Sequence, residues 1–254
     1  MLRLYHVLLG LILIPIGVTT AVSHFSSDNK SEPSSLKTPN PTTTLVSAKS
    51  NQNNIWNNLT EKTPLPSSWK INSCEKNNSL LCVSANGKLL GTVEIGILPL
   101  ETQRNFQTML INAGIPSNPD VDYRSPEYRT QVTKALNAWV TNRYNLLAKN
   151  REYIYDDKSK TAKKADGILF SPHPPQKARV GKLEGVLYGF AGIKQKGGVY
   201  ELHIGYVAFD GKALYLINTA FNPDSSTGKF EKLENLAVFQ PYLNAVVANL
   251  KLPK

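Results

Sequence analysis

Residues 178–221, ARVGKLEGVLYGFAGIKQKGGVYELHIGYVAFDGKALYLINTAF, have the clearest structural pattern of the chain. They hold three long runs rich in β-branched and aromatic residues, at 178–194, 199–210 and 212–221. The dipeptides Gly197-Gly198 and Asp210-Gly211 separate these runs. Because both dipeptides favour the two-residue turns of hairpins, the stretch predicts a three-stranded antiparallel meander.

Upstream of the meander, the sequence predicts a further hairpin and two helices. Asn86-Gly87 joins the predicted strands LLCVSA and KLLGTVEIGIL of the hairpin. One helix is expected at 100–112. A second helix opens with Ser125 as its cap and Pro126 at its first position, and it runs to about residue 149.

The segments on either side of the meander complete the predicted fold. Residues 229–250 place leucine, valine and phenylalanine on one stripe, which predicts a closing amphipathic helix that Pro241 should kink. Residues 151–176 show no regular pattern and are predicted to be irregular. A meander accompanied by amphipathic helices indicates the α+β class, an antiparallel sheet covered by helices.

The overall composition is that of an ordinary globular protein. The chain has 254 residues, of which 41% are hydrophobic and 19% are charged. This balance excludes collagen, coiled-coil arrays, multi-span membrane proteins and disordered chains. With the two ends set aside, residues 56–254 are predicted to form a single α+β domain.

The first 23 residues have the features of an export signal. Arg3 makes the start positive, residues 4–22 form an apolar run, and Ala21-Val22-Ser23 is similar to a signal-peptidase site. Alternatively, the run is retained as a single-pass membrane anchor, because a helix of this length reaches about 28 Å. Both interpretations put the folded domain outside the cytoplasm.

Residues 24–55 are predicted to be a disordered tether. They are rich in Ser, Thr, Asn and Pro and nearly free of large apolar side chains. Such a segment cannot bury enough apolar surface to offset the entropy lost on ordering. Its root-mean-square reach is roughly 30 Å, so a retained anchor would hold the domain about that far from a membrane.

Cys74 and Cys82 are the only two cysteines of the chain and lie in the segment CEKNNSLLC. In an exported protein, two neighbouring cysteines predict a disulfide. Closing so short a loop stabilises the folded state by about 2.5 kcal/mol. A redox pair is a second interpretation, although the CxxC spacing is absent, and a metal site would lack nearby His or Cys ligands.

The chain has four histidines, and one of them lies close to a carboxylate in sequence. Glu201 and His203 lie two apart on a predicted strand, so both point to one face and could ligate a metal. The alternative is a solvated or hydrogen-bonded pair. His173 in SPHPP is predicted to be an exposed loop residue, and Ser171 lacks the G-x-S-x-G elbow of a serine hydrolase. With no P-loop, dinucleotide fingerprint or zinc-hydrolase motif, no cofactor is predicted.

Positive charge is distributed unevenly along the chain. The net charge is +10, and residues 142–182 hold ten Lys or Arg against four Asp or Glu. The candidate docking residues of this basic loop are Lys158, Lys160, Lys163 and Lys164. They would face an acidic partner, either anionic lipid headgroups or an acidic protein surface. The alternative is a solvated loop, and export disfavours nucleic acid as the partner.

Three segments resemble the PsbP-like α-β-α sandwich superfamily. They are GKLEGVLYGFAG at 181–192, FDGKALYLINTAF at 209–221 and VFQPYLNAVVANLKL at 238–252, and the similarity of pattern covers about residues 66–252. Members include extrinsic photosystem subunits of the thylakoid lumen and small exported bacterial domains. The resemblance implies an α-β-α sandwich in a periplasm or thylakoid lumen, with a non-enzymatic binding or assembly role. It carries over no site residue.

Two functions from different classes follow from these patterns. The first is an exported non-catalytic domain, tethered or released, that docks on or assists assembly of a membrane protein complex through the basic loop. The second is a metal- or small-ligand-binding protein or enzyme, with a site on an open sheet face near Glu201 and His203. The leader, the tether, the basic loop and the family resemblance favour the first.

Overall fold

The computed structural model describes residues 56, 65–75, 77–118, 120–157, 168–194, 197–222, 225 and 227–252, without the side chains of 148–157. These residues belong to one compact unit, Leu45–Lys254. The predicted leader at 1–23 and the predicted tether at 24–55 lie outside the described residues. Within the described ranges, no helix has both the length and the hydropathy needed to cross a membrane.

Eight strands and three α-helices make up the described part of the chain. The strands are β1 (Trp69–Cys74), β2 (Asn77–Ala85), β3 (Lys88–Pro99), β4 (Ile168–Val180), β5 (Leu183–Lys194), β6 (Val199–Phe209), β7 (Ala213–Phe221) and β8 (Lys229–Phe230). The helices are α1 (Arg104–Asn112), α2 (Arg129–Asp157) and α3 (Leu233–Ala248). Short 3₁₀ turns at Leu100–Thr102 and Pro126–Tyr128 precede α1 and α2.

All eight strands join one sheet in the order β1-β2-β3-β8-β7-β6-β5-β4, and β3 also pairs with β7. Apart from the parallel pair β7 and β8, the pairings are antiparallel. The predicted meander is present as β5, β6 and β7, with the glycines of both turns at positive φ. A mostly antiparallel sheet with helices confirms the α+β class.

Alternate residues of the central strands belong to two hydrophobic clusters. On β6, Ile204 and Tyr206 belong to the cluster that contains the buried residues of α3. Val207 and Phe209 belong to the cluster that contains buried residues of α1 and α2. Because neighbouring residues of a strand point to opposite faces, we call these the α3 face and the α2 face of the sheet.

The first predicted strand of the meander is wrong, because the chain reverses inside it. Val180 pairs with Leu183, so Gly181 and Lys182 form a two-residue turn between β4 and β5. Gly181 has a φ of 58°, and a Cβ there would lie 2.6 Å from the Leu250 carbonyl oxygen. Residues typical of strands lie on both sides of this turn, which is why the sequence pattern suggested one strand at 178–194.

The prediction that residues 151–176 are irregular is also wrong where the structure describes them. Helix α2 continues to Asp157, and β4 begins at Ile168 and includes the SPHPP segment. Proline is tolerated there because β4 is the last strand of the sheet, and the pairing shifts register between His173 and Gln176. His173 therefore lies exposed on an edge strand rather than in a loop.

The predicted helices are present with different ends. The closing helix begins at Leu233 rather than at 229, because Lys229 and Phe230 form strand β8, and Pro241 lies inside α3. Ser125 precedes a 3₁₀ turn, and its side chain makes no capping hydrogen bond. These differences fall within the first turn or two of each helix, where local sequence signals are weakest.

The disulfide prediction is confirmed. Cys74 and Cys82 are bonded with a Cα–Cα distance of 5.1 Å, and they link β1 to β2. Strand β1 is the edge of the sheet opposite β4. The disulfide therefore links this edge strand covalently to its neighbour.

Candidate functional site

Glu201 and His203 form a hydrogen-bonded pair on β6. His203 Nε2 lies 2.6 Å from Glu201 Oε2, and the Glu201 side chain is fully buried while that of His203 is about a quarter exposed. The predicted shared face is present, but Glu201 does not lie on an open surface. We call these two residues the buried pair.

An aromatic ring stacks on the imidazole of the buried pair and connects it to further rings. Phe190 is opposite His203 on β5, and the two rings stack with centroids 4.2 Å apart. Phe190 in turn makes edge contacts with Phe170 of β4 and Tyr144 of α2. The Tyr144 hydroxyl donates a 3.2 Å hydrogen bond to the Phe170 carbonyl. Phe190 thereby links the buried pair to α2 and to the edge strand.

The buried pair supplies two potential metal ligands that already bond each other. Among the described residues, no cluster of three or more His, Cys, Asp or Glu could hold a metal ion. A buried carboxylate is costly unless it is paired, so the imidazole has a structural role beside Glu201. Metal binding at Glu201 and His203 stays a prediction.

A second polar group, next to the buried pair, was not anticipated from the sequence. Tyr188, Gly205, Asn218 and Glu94 are aligned across β5, β6, β7 and β3. The Tyr188 hydroxyl donates a 2.8 Å hydrogen bond to Asn218 Oδ1. Its ring lies over Gly205, where a Cβ would come within 2.4 Å of the ring. We call these four residues the polar row.

Burial and neighbouring groups shift the pKa values of the two residues at the ends of the polar row. Burial raises the pKa of Tyr188, and the nearby Arg143 guanidinium opposes this shift. At the other end, burial raises the pKa of Glu94, and the hydrogen bond from Thr227 opposes it. Arg143 also lies over the ring of Trp139, 5.4 Å from its centroid. The available sequence signal was the presence of the polar residues Tyr188, Asn218 and Glu94 inside predicted strands.

Four exposed cations line a groove of about 800 Å³ between α2 and the edge of the sheet. We call it the cationic groove. It is lined by Arg129, Thr130, Thr133, Lys134 and Asn137 of α2, Lys177, Ala178 and Arg179 of β4, and Glu184 and Gly185 of β5. Its four cations are exposed to solvent and face one acidic side chain.

Glu184 neutralises only part of the charge of the cationic groove. Arg129 Nε lies 3.2 Å from Glu184 Oε2, and the two side chains are 68% and 60% exposed. An ion pair this exposed contributes about 1 kcal/mol or less. Lys134, Lys177 and Arg179 add three further positive charges to the same surface.

The structure does not test the predicted docking residues. Lys158, Lys160, Lys163 and Lys164 lie outside the described residues. Lys177 and Arg179 belong to the basic segment 142–182 and do line the cationic groove. The other two cations come from α2, about 45 residues earlier in the chain, so only tertiary packing brings the four together.

A mixed cleft of about 850 Å³ lies beside the turn between β6 and β7. Asp210 at its rim accepts hydrogen bonds from the backbone N–H groups of Lys212 and Ala213 and from the Tyr215 hydroxyl. This carboxylate therefore stabilises the turn between β6 and β7. The cleft has an apolar floor that includes Leu110, and its chemistry is less distinctive than that of the cationic groove.

Neither protein-family models nor curated protein sequences match this chain. Function is therefore inferred from the chemistry of the described surface, and the most distinctive part of that surface is the cationic groove.

Proposed function

We propose that the chain is an exported, non-catalytic domain that docks on, or assists the assembly of, a membrane protein complex through positive charge. The observation that carries this proposal is the cationic groove, with four exposed cations against one carboxylate. Charges left facing solvent attract an oppositely charged partner over several ångströms and orient it during encounter.

Packing and export signals support the same proposal. The α3 face and the α2 face have separate hydrophobic clusters, which favours the α-β-α sandwich implied by the PsbP-like resemblance. The predicted leader and tether would deliver this domain to a periplasm or thylakoid lumen, released or held near a membrane. The four loop lysines would extend the positive surface beyond the cationic groove.

The test compares two charge-reversal variants of the full-length protein. The groove variant is Lys134→Glu/Lys177→Glu/Arg179→Glu. The control variant is Lys70→Glu/Lys88→Glu/Lys251→Glu, which makes the same change in net charge at exposed positions outside the groove. Binding to native membranes is measured by co-sedimentation over a range of salt concentrations.

We expect the groove variant to bind at least about tenfold more weakly at low salt, since several charge pairs are lost together. The control variant should bind as the wild type does, and wild-type binding should weaken as salt is raised. Equal binding by the two variants would refute docking through the cationic groove.

A further inference from the structure

We infer that the cationic groove accepts an extended acidic segment of a partner protein, which pairs as an added strand with the edge of β4. This inference rests on the proposed docking function and specifies its occupant. It depends on three features of the described residues: the exposed backbone of β4, the spacing of the cations and the dimensions of the groove.

The backbone of β4 is turned outward at the two cationic positions. β4 is the last strand in the sheet order, and its hairpin with β5 closes through the Val180–Leu183 pair around a two-residue turn. The two residues that flank such a turn, Val180 and Leu183, form two backbone hydrogen bonds with each other. Along the strand, residues that bond the partner strand alternate with residues whose N–H and C=O groups point away from it. The N–H and C=O groups of Lys177 and Arg179 therefore point away from β5.

Prolines limit strand addition to this part of the edge. Pro172, Pro174 and Pro175 have no N–H, so the first half of β4 offers few donors to an incoming strand. Residues 176–180 contain no proline and extend over about 16 Å. The lining of the groove on α2, from Arg129 to Asn137, spans about 12 Å. Both lengths suit a segment of four or five extended residues.

The side chains of the groove match an alternating acidic pattern. Lys177 and Arg179 lie two residues apart, so they share one side of β4, and both line the groove opposite Lys134 of α2. An extended segment with carboxylates at every second residue would direct them into this space. The side-chain amide of Asn137 adds a neutral hydrogen-bond donor, whereas the Thr133 hydroxyl already donates to the Arg129 carbonyl oxygen at 2.9 Å.

A peptide fits these features better than a lipid surface does. A planar layer of headgroups meets a concave groove only at its rim, and it has no use for alternating backbone donors and acceptors. Strand addition uses both, because main-chain hydrogen bonds give affinity and the side-chain pockets give specificity.

The experiment measures binding of fluorescent five-residue peptides to the full-length protein by anisotropy. The parent peptide alternates valine and glutamate, as VEVEV, and the charge control is VQVQV. Two further peptides carry N-methyl groups on the amides of the valines or on the amides of the glutamates. Vesicles of phosphatidylglycerol and phosphatidylcholine, with phosphatidylcholine alone as control, test for a lipid occupant.

Two variants at one position separate charge from backbone pairing. Lys177→Ala and Lys177→Pro lose the same charge, but only the proline also loses the outward N–H, while the bonds from β4 to β5 are retained. Far-UV circular dichroism checks that both variants fold.

We expect VEVEV to bind at least about tenfold more tightly than VQVQV, because the carboxylates pair with the cations of the groove. One methylated peptide should lose binding and the other should keep it, since only one edge of the added strand faces β4. Lys177→Pro should bind VEVEV about fivefold more weakly than Lys177→Ala does, through loss of one hydrogen bond.

The contrary results distinguish this inference from the function on which it rests. If both methylated peptides and Lys177→Pro bind normally, strand addition is refuted while electrostatic docking stands. Binding to anionic vesicles without binding to VEVEV would replace the peptide by a lipid surface. If the groove variant docks on native membranes as the wild type does, the proposed function itself fails.

Discussion

The buried pair and the cationic groove treat charge in opposite ways, although both lie where α2 packs on the sheet. Glu201 is fully enclosed and bonded to His203 at 2.6 Å. In the groove, four exposed cations share one exposed carboxylate. A charge satisfied inside the protein contributes to the fold, whereas a charge left facing solvent is available to a partner. The first region should therefore govern stability and the second should govern binding.

The largest effect is expected from breaking the buried pair. His203→Leu leaves the buried Glu201 carboxylate without its imidazole, and we expect the free energy of unfolding to fall by about 3 kcal/mol. Urea denaturation at neutral pH measures the loss. The double variant Glu201→Leu/His203→Leu should recover much of it, because no buried charge is left. A single variant as stable as the wild type would contradict this role.

Removing the disulfide should lower stability without changing either the buried pair or the cationic groove. Cys74→Ser/Cys82→Ser should reduce the free energy of unfolding by about 2.5 kcal/mol, because the unfolded chain is no longer constrained. Membrane co-sedimentation of the folded variant should not change, since the cysteines lie on β1 and β2. If the folded variant docked more weakly than the wild type, the disulfide would contribute to binding as well as to stability.

Removing the acidic side chain of the cationic groove should affect binding alone. Glu184→Gln frees Arg129 from its 3.2 Å contact, and we expect about threefold tighter binding to an acidic partner. The free energy of unfolding should change by less than about 0.5 kcal/mol, because the ion pair is exposed. Glu231→Gln, which removes an ion pair with Lys229 elsewhere, is the matched control. Equal affinities for both variants would contradict the prediction.

The smallest effect is expected at Glu94, at the end of the polar row. Burial raises the pKa of Glu94 above its value in the unfolded chain, so this carboxyl favours the folded state only while it is protonated. Its stabilising contribution is present at low pH and is lost as pH rises through the raised pKa.

Glu94→Gln should therefore gain stability relative to the wild type between about pH 4 and about pH 7. Urea denaturation of both proteins at the two pH values gives the difference. A difference that does not change with pH would show that Glu94 titrates alike in the folded and unfolded chains.

Short-range patterns predicted much of the fold correctly. The meander of β5 to β7, the Asn86-Gly87 hairpin and the closing helix follow from turn dipeptides and apolar periodicity, which depend only on neighbouring residues. The turn at Gly181 was missed because residues typical of strands lie on both sides of it. The strand containing Pro172 was missed because proline is compatible with a strand only at an edge, and edges are a property of the whole sheet.

The candidate sites divide in the same way. Two-residue spacing was sufficient to put Glu201 and His203 on one face, and the separation of the cysteines was sufficient to predict their bond. Neither pattern predicts that Glu201 is buried, because its burial results from the packing of other segments around it.

The α+β class, the disulfide and the excess of positive charge can therefore be predicted from local sequence. Which charges are enclosed, and which are exposed together, depends on how distant segments pack. The physical reason is range: periodicity and turn preference act over a few residues, whereas the cationic groove joins Arg129 to Arg179 across fifty positions of the chain.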